Sequence, residues 1–167
     1  MERDAAAATG IPNIIDQGAD VIGQHVDSPT PQIVAQERGV YGTGHHRDMS
    51  EFAPEATVCS SVWVWDRFLA PELKKIMAGN WVPAEHGALL SMEQGGTDVS
   101  CCGKGIDEEE KAKIMAAREE LLNGEKLIYA GPISDRDGNV KAAEGEALSD
   151  GELWSMDWFV KGVITQQ

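Results

Sequence analysis

The stretch that decides the fold is residues 19–48, "ADVIGQHVDSPTPQIVAQERGVYGTGHHRD". Its first apolar run, Ala19 to Gln24, predicts a short buried strand, and "VYGTG" predicts a second strand. Between them, "PTPQIVAQERG" places proline where helices start and Gly39 where they end. A further helix is predicted before the first strand and ends at Gly18. The order helix, strand, helix, strand is typical of parallel βαβ units, so we predict an open α/β sheet.

Polar side chains follow both predicted strands, in the segments "QHVDS" and "GHHRD". Ligands of open parallel sheets bind at the carboxyl ends of the strands. We therefore expect one edge of the sheet to gather five candidate ligand-binding residues: His25, Asp27, Ser28, His46 and Asp48. Simpler roles remain open for some of them. His25 could be a loop residue, Asp27 could cap the following helix, and Asp48 could belong to a turn.

The rest of the chain alternates strand-like and helical patterns. "ATVCSSV" predicts a third strand, and "WVWDRFLAPELKKIMAG" predicts an amphipathic helix. "GALLSMEQGGTDVSC" contains two weak strand-like pieces around a Gly-Gly turn. "DEEEKAKIMAAREELLNG" is the clearest helix, because acidic residues fill its first turn and Gly124 follows its end. A short helix near the C-terminus is capped by Ser149 or Asp150.

Tryptophans fall at two places in this pattern. Trp63 and Trp65 lie directly after the third predicted strand, where extended chain would alternate them. One would then face the predicted ligand edge and the other the core. Trp154, Trp158 and Phe159 near the C-terminus are predicted to be core residues.

The segment "SDRDGN", residues 134–139, has oxygen ligands at the spacing of a calcium loop. Such a loop needs glycine at its sixth position, which is Val140 here, and helices on both sides. The flanking segments "KLIYAGPI" and "NVKAAEG" instead resemble the arms of a hairpin. Asp, Asn and Gly138 are ordinary turn residues, so we predict a turn rather than a metal site.

Charge and cysteine content exclude several classes of function. The 28 acidic and 14 basic residues give a net charge of −14, which disfavours nucleic acid and anionic lipid as partners. No apolar run approaches the ~20 residues of a spanning helix. The opening "MERDAAAATG" lacks the apolar region of a secretory signal, so we expect no signal peptide in this chain. Cys59, Cys101 and Cys102 form no zinc motif and are predicted to be buried or free thiols.

Three long segments carry a resemblance to a known family: "GPISDRDGNVKAAEGEALSDGELWSMDWFVKGVI" at the C-terminus, "IIDQGADVIGQHVDSPTPQIVAQERGVYGTGHHRDMSEFAP" and "SSVWVWDRFLAPELKKIMAGNW". Together they resemble the basic membrane protein family, the substrate-binding lipoproteins of purine and nucleoside ABC importers. The first segment is similar to the family's carboxyl-terminal signature, the second to its second lobe and the third to its crossover helix.

This resemblance implies part of a type I periplasmic-binding-protein fold, in which two α/β lobes close on a ligand. Residues 1–58 would form a second-lobe segment, residues 59–103 the crossover toward the first lobe, and residues 104–167 the return with its hairpin and helix. Most of the first lobe would be absent. The chain would then be an N-terminally truncated member, either a shortened gene product or one whose start was assigned too late.

The implied function is that of the solute-binding component of an ABC importer, periplasmic or held at the membrane as a lipoprotein. It would bind a purine base or nucleoside-like ligand in an interlobe cleft, without catalysis, metal or cofactor, and its protein partner would be the ABC permease. Trp63 and Trp65 would join the polar residues as ligand contacts, since an aromatic face suits a purine. His46 stands where many members carry an Asp for ribose hydroxyls, which favours a free base. Arg47 beside it would allow an anionic substituent.

Two other classes of function compete with this interpretation. Four histidines, with Asp27 and Asp48, could form the metal site of a hydrolase: His25, His45, His46 and His86. Adjacent His45 and His46 cannot point the same way on a regular strand, although a loop allows it. The other class is the effector-sensing domain of a transcriptional regulator, which has the same kind of fold. No helix-turn-helix segment is visible in the sequence.

Overall fold

The computed structural model of the chain describes residues 10–85 and 87–164. The chain divides into two compact units, Met1–Arg118 and Glu119–Gln167. The first element described in this unit is α1, helical over residues 10–16. The elements that follow are β1 (Val21–Gly23), α2 (Thr30–Glu37), β2 (Tyr41–His46), a 3-10 helix (Met49–Glu51), β3 (Thr57–Trp63), α3 (Trp65–Met77), β4 (Thr97–Ser100) and α4 (Glu108–Leu122). The second unit contains β5 (Ile133–Ser134), β6 (Val140–Ala142) and α5 (Asp150–Trp154).

Among the described residues of the first unit, four strands form a mixed sheet in the order β1-β2-β3-β4. The first three strands are parallel, and β4 pairs antiparallel with β3. Parallel neighbours β1 and β2 are joined by α2, as a βαβ unit requires. The predicted α/β fold is therefore confirmed, and the carboxyl ends of β1, β2 and β3 lie at the same edge of the sheet.

Close packing of α2 on the sheet sets the positions of β1 and β2. Gln32 of α2 is fully buried, and its amide donates to the carbonyl oxygens of Ile22 (3.3 Å) and Thr43 (3.0 Å). A Cβ at Gly42 would lie 1.9 Å from the Gln32 side chain, so only glycine lets β2 approach this closely. The surrounding core consists of buried apolar residues: Ile11, Ile22, Val34, Ala35 and Ala56.

A disulfide joins β3 to the residue that follows β4. The register pairs Ser60 with Ser100, which brings Cys59 and Cys101 opposite one another with Cα atoms 4.2 Å apart. The prediction that these cysteines are thiols is therefore wrong. The sequence shows only that they are 42 positions apart; the antiparallel pairing of β3 and β4 brings them together. Cys102 is free and exposed.

The segment before β4 also differs from prediction. The predicted strand-like piece over residues 87–91 is irregular, and turns occupy residues 92–95. The piece after the Gly-Gly turn forms β4 as predicted. Asp98 of β4 accepts a bidentate pair of hydrogen bonds from Arg118 of α4, at 2.5 and 2.8 Å, and this ion pair joins the two elements.

In the second unit, the segment "SDRDGN" is a hairpin turn, as predicted. The Asp135 carboxylate accepts from the backbone N–H groups of Asp137 and Asn139 and from the Asn139 amide. Gly138 supplies the positive φ of 90° that the turn needs. The hydrogen bonds from Asn139, stronger than the opposing burial, lower the pKa of Asp135 to about 2.

The C-terminal helix α5 is capped by Ser149, which forms a reciprocal capping box with Glu152. The prediction of a C-terminal aromatic core is wrong. Trp154 and Phe159 are each 52% exposed, and Trp158 is half-buried under the Lys141 side chain. Aromatic content indicates a core only where neighbouring elements cover the rings, and the described part of this unit leaves two of them open.

None of the helices in the described parts of the chain combines the length and the apolar character needed to span a bilayer.

Candidate functional site

Five aromatic side chains meet at the carboxyl ends of β1, β2 and β3, and we call them the ring cluster: His25, His45, His46, Trp63 and Trp65. His25 follows β1, the other two histidines end β2, Trp63 ends β3 and Trp65 begins α3. Ring centroids are 4.3 Å apart for His25 and His45, and 5.3 Å apart for Trp63 and Trp65. The rings therefore form a continuous aromatic surface at the predicted edge of the sheet.

The backbone at His46 explains how two adjacent histidines reach the same neighbour. Its φ of 73° lies in the left-handed region, which non-glycine residues seldom adopt. This turn of the backbone breaks the alternation of a regular strand. As a result the ring centroids of both His45 (5.3 Å) and His46 (5.0 Å) lie beside Trp63.

The two tryptophans do not alternate between the site and the core, so that prediction is wrong. Val64 between them is neither in the strand nor in α3, with φ −99° and ψ 73°. The side chain of Trp65 therefore turns toward that of Trp63, and their rings meet at 72°. Both are exposed, at 41% and 47%, so both are accessible to a ligand.

Imidazoles and one nearby carboxylate determine the electrostatics of the ring cluster. His45 is buried, and its Nδ1 atom lies 3.4 Å from the Ser61 hydroxyl. Burial, followed by repulsion from His25, lowers the pKa of His45 below its ordinary value of 6.5, although Asp27 opposes this shift. The Asp27 carboxylate is exposed and lies 3.9 Å from Nδ1 of His46.

Among the described residues, one buried polar atom of the ring cluster lacks a hydrogen-bond partner. Nδ1 of His46 is buried and has no hydrogen-bond partner among the described residues. The 3.9 Å separation from Asp27 is too long for a direct bond but suits a bridging group. Buried polar atoms are usually paired, so this one calls for a partner such as a water molecule or a ligand.

Two of the predicted site residues make local contacts instead. The Ser28 hydroxyl accepts from the backbone N–H of Thr30 and donates to its hydroxyl, at the start of α2. Asp48 caps the 3-10 helix by accepting from the N–H of Ser50, and it accepts a 2.6 Å hydrogen bond from Ser100. Burial alone would raise the pKa of Asp48, but these hydrogen bonds lower it below 3.8.

Other predicted roles also change with the geometry. Asp27 does not cap α2, because the helix start carries no side-chain cap and the Ser28 hydroxyl bonds to Thr30 N–H. Arg47 forms an ion pair with Glu51, and its guanidinium lies 5.1 Å from the centre of the Phe52 ring. Its charge is therefore already partly neutralised by Glu51.

Metal coordination receives no support from the geometry. Among the described residues, no three side chains of the His, Cys, Asp or Glu type come together as metal ligands would. His86, named in the hydrolase interpretation, lies outside the described residues.

A separate cavity of about 490 Å³ lies between β4 and α4. Its lining includes Ser100, Cys102, Lys111 and Met115. It lies beside the disulfide, and none of its lining residues belongs to the ring cluster. It is therefore an alternative place where a small molecule could bind the first unit.

The chain thus has an α/β fold with aromatic and polar side chains at the carboxyl ends of its three parallel strands, the place where ligands of such folds bind. More narrowly, the chain belongs to the Bmp family, described as "ABC transporter substrate-binding protein PnrA-like", whose sequence profile matches residues 3–134. The resemblance read from the sequence is thus confirmed. Members of this family are substrate-binding proteins of ABC transporters.

Two curated relatives match almost the entire chain. A candidate ABC transporter glucose-binding protein of Haloferax volcanii is 34% identical over 163 residues, which are 96% of this chain and 37% of the relative. A purine-binding protein of Brucella abortus is 32% identical over 163 residues, which are 97% of this chain and 44% of the relative. The chain therefore spans about two fifths of the length of these relatives.

Solved structures with similar folds show the same partial coverage. A solute-binding protein of an ABC transporter from Aeropyrum pernix aligns with a TM-score of 0.52 and 13% identity, over 77% of this chain and 43% of the other. A transcriptional activator of the comK gene from Bacillus halodurans aligns with a TM-score of 0.60 and 13% identity, over 72% of this chain and 44% of the other. At these identities the likeness concerns the fold alone, which matches part of a periplasmic solute-binding protein.

The sequence did not single out His45 as a ligand-site residue, although its ring lies between those of His25 and Trp63. In the predicted pattern His45 follows the second strand, and it was named only in the alternative metal site of a hydrolase. A signal was present in the pair "HH" at the strand end, because a left-handed residue there brings both rings to one side. That backbone conformation cannot be read from residue types alone.

Proposed function

We propose that this chain belongs to the solute-binding protein of an ABC importer and takes part in ligand binding. In this role it binds a purine base reversibly at the ring cluster. The observation that carries the proposal is the contact among three imidazoles and two indoles at the carboxyl ends of adjacent strands. Aromatic faces bind flat heterocycles by stacking, which contributes about 1–3 kcal/mol per base.

Hydrogen-bonding groups around the rings fit the edge of a base. A neutral imidazole both donates and accepts, so His25 and His46 can each pair with a ring nitrogen or an exocyclic group of the ligand. The unpaired Nδ1 of His46 and the Asp27 carboxylate 3.9 Å away form a gap that one ligand N–H could bridge. We assign ligand contact to His25, Asp27, His46, Trp63 and Trp65. Ser28 and Asp48, which were also predicted, have local partners and are left out of this assignment.

The name of one relative supports a purine as the ligand, and that of another points to glucose. The Brucella abortus relative is a purine-binding protein, whereas the Haloferax volcanii relative is named for glucose binding. Sugars need many directional hydrogen bonds to hydroxyl groups, which carboxylates and amides commonly supply. The ring cluster offers five rings and, among the described residues within 4 Å of its histidine nitrogens, the single carboxylate of Asp27. This balance favours the flat heterocycle.

Isothermal titration calorimetry of the 167-residue chain tests the proposal. The ligands are adenine, guanine, hypoxanthine, adenosine and glucose. We expect saturable heat with at least one free base and weaker binding of adenosine. Binding of glucose alone, or of no ligand in the series, would overturn the purine assignment.

Replacement of Trp63 tests whether the ring cluster is the binding surface. Trp63→Leu removes the central indole and should weaken purine binding about tenfold or more, given the usual value of base stacking. Trp81→Leu is a matched control, because Trp81 is similarly exposed, at 44%, and donates to Glu72 outside the ring cluster. Equal loss in both variants would show that the effect is general rather than local.

The transporter role itself extends to a partner. We propose that the complete protein acts outside the cytoplasmic membrane and delivers its ligand to an ABC permease, in keeping with the family description. Loss of the gene should then lower uptake of a radiolabelled purine by the source cells, and restoring it should recover uptake. Unchanged uptake would contradict this role even if the chain binds a base.

A further inference from the structure

His45 is the most buried ring of the ring cluster and contacts rings from two other strand ends. We propose that His45 is a positioning residue, whose buried ring orients the side chains of His25 and Trp63. Its protonation lowers the affinity of the ring cluster for the ligand as the pH falls. This inference concerns the regulation of the proposed purine site and rests on that proposed function.

The packing around His45 fits a role exerted through its neighbours. Only 9% of the residue is exposed, so its ring offers little surface to a ligand. The His25 ring lies 4.3 Å away at 38°, and the Trp63 ring lies 5.3 Å away at 82°. The Ser61 hydroxyl, 3.4 Å from Nδ1, fixes the imidazole from β3. A ring held in this way determines where its two more exposed neighbours lie.

Burial and the two neighbouring imidazoles oppose protonation of His45, whereas the Asp27 carboxylate favours it. Facing it are His25 and Asp27 from the loop after β1, and His46 from its own strand. From β3 come Ser61 and Trp63, neither of which titrates near neutral pH. A proton on His45 would be buried and would sit beside two imidazoles that can also charge, with one exposed carboxylate to offset them. The direction of its pKa, below the ordinary 6.5, agrees with this geometry.

Acidification should therefore disturb the ring cluster as a whole. Once His45 is charged, repulsion from a second imidazolium favours separation of the rings. Affinity should be constant above about pH 7 and should fall below it, by up to about tenfold per pH unit for each proton taken up.

A ligand-free measurement tests the coupling between His45 and Trp63. In NMR spectra of the 167-residue chain, the indole N–H signal of Trp63 should shift on acidification with a midpoint below the ordinary histidine value. His45→Asn keeps a polar group opposite Ser61 but cannot titrate, so most of this shift should disappear. His45→Gln provides a second variant if the first folds poorly, and Trp81→Leu should leave the shift intact. A Trp63 shift that persists in both His45 variants would overturn the proposal.

Calorimetry across the same pH range tests the consequence for the ligand. Between about pH 7.5 and about pH 4.5 the wild-type affinity for the best purine base should fall about tenfold or more, with most of the fall below the ordinary histidine value. His45→Asn should show a flatter affinity profile than wild type across this pH range, whatever its affinity at the higher pH. A steep profile retained by His45→Asn would overturn the regulatory inference and leave the proposed function standing. A wild-type chain that binds no base overturns the proposed function, and the Trp63 titration alone then decides the role of His45.

Discussion

At the scale of single residues, the backbone of His46 has the largest effect on the site. Its positive φ directs two consecutive imidazoles to one side of β2, where both contact Trp63. Strained backbone of this kind is common at ligand sites, where the surrounding structure holds it in place. The left-handed conformation at His46 thus links a local cost in stability to the assembly of a binding surface.

Asp135 gives a residue-scale prediction about pH. Its pKa of about 2 lies below the ordinary 3.8, so the folded chain binds fewer protons there than the unfolded chain. The stability that Asp135 contributes should be fully present above the ordinary value and lost as the pH falls through the folded value. The thermal midpoint of Asp135→Ala should be below that of wild type at neutral pH, and the difference should shrink toward pH 2. A difference that is independent of pH would contradict this role.

The predictability of the site differed from residue to residue. The strand ends that carry His25 and His46 could be predicted, because βαβ order alone fixes which ends lie together. The direction of the Trp65 side chain could not be predicted, because it depends on where β3 ends and α3 begins around Val64. Ser28 and Asp48 were of the right chemical type, but local hydrogen bonds to Thr30 and Ser50 occupy them.

At the scale of elements, the pairing of β3 with β4 combines two kinds of stabilisation. Backbone hydrogen bonds join the strands, and the Cys59–Cys101 disulfide links them covalently. The parallel pairing of β1 and β2 could be predicted, because the crossover helix α2 joins them, whereas only a 3-10 helix lies between β2 and β3. The antiparallel pairing of β4 with β3 could not be predicted. It depends on the irregular segment of residues 87–96, whose sequence has no strong local pattern of helix or strand.

The disulfide gives an element-scale prediction. Under denaturing conditions without reductant, the chain should react with one equivalent of thiol reagent at Cys102, and with three after reduction. Reduction should also lower the free energy of unfolding by roughly 4 kcal/mol, the chain-entropy value for a loop of this length. Cys102→Ser should leave the reduction-dependent shift unchanged. Three reactive thiols before reduction would contradict the assignment.

At the scale of the whole chain, apolar exposure and net charge act against each other. The α3 helix leaves several large apolar side chains exposed: Leu69, Leu73, Ile76 and Met77. Exposed apolar faces of this kind favour association. The net charge of −14 opposes association through long-range repulsion, which salt screens. The balance between the two should therefore depend on ionic strength.

We predict that the isolated 167-residue chain is marginally stable and self-associates, and increasingly so as salt is added. Light scattering coupled to size-exclusion chromatography should show a molar mass that increases as salt is raised from about 0.05 M to about 0.5 M. The reason is that the Debye length falls several-fold over this range, so the repulsion between chains is screened. Leu73→Glu on the exposed face of α3 should reduce this rise, while Lys113→Gln on α4, at an exposed ion pair, is a control that changes the net charge by the same single unit. A monodisperse monomer that melts cooperatively at every salt concentration would contradict the prediction.

The most direct test of the binding account is a crystal structure of the chain with the tightest-binding purine base. The account predicts the base plane against Trp63 or Trp65, with its edge hydrogen-bonded to His25 or His46 and bridging toward Asp27. A base located in the cavity between β4 and α4, or touching none of the five rings, would contradict it.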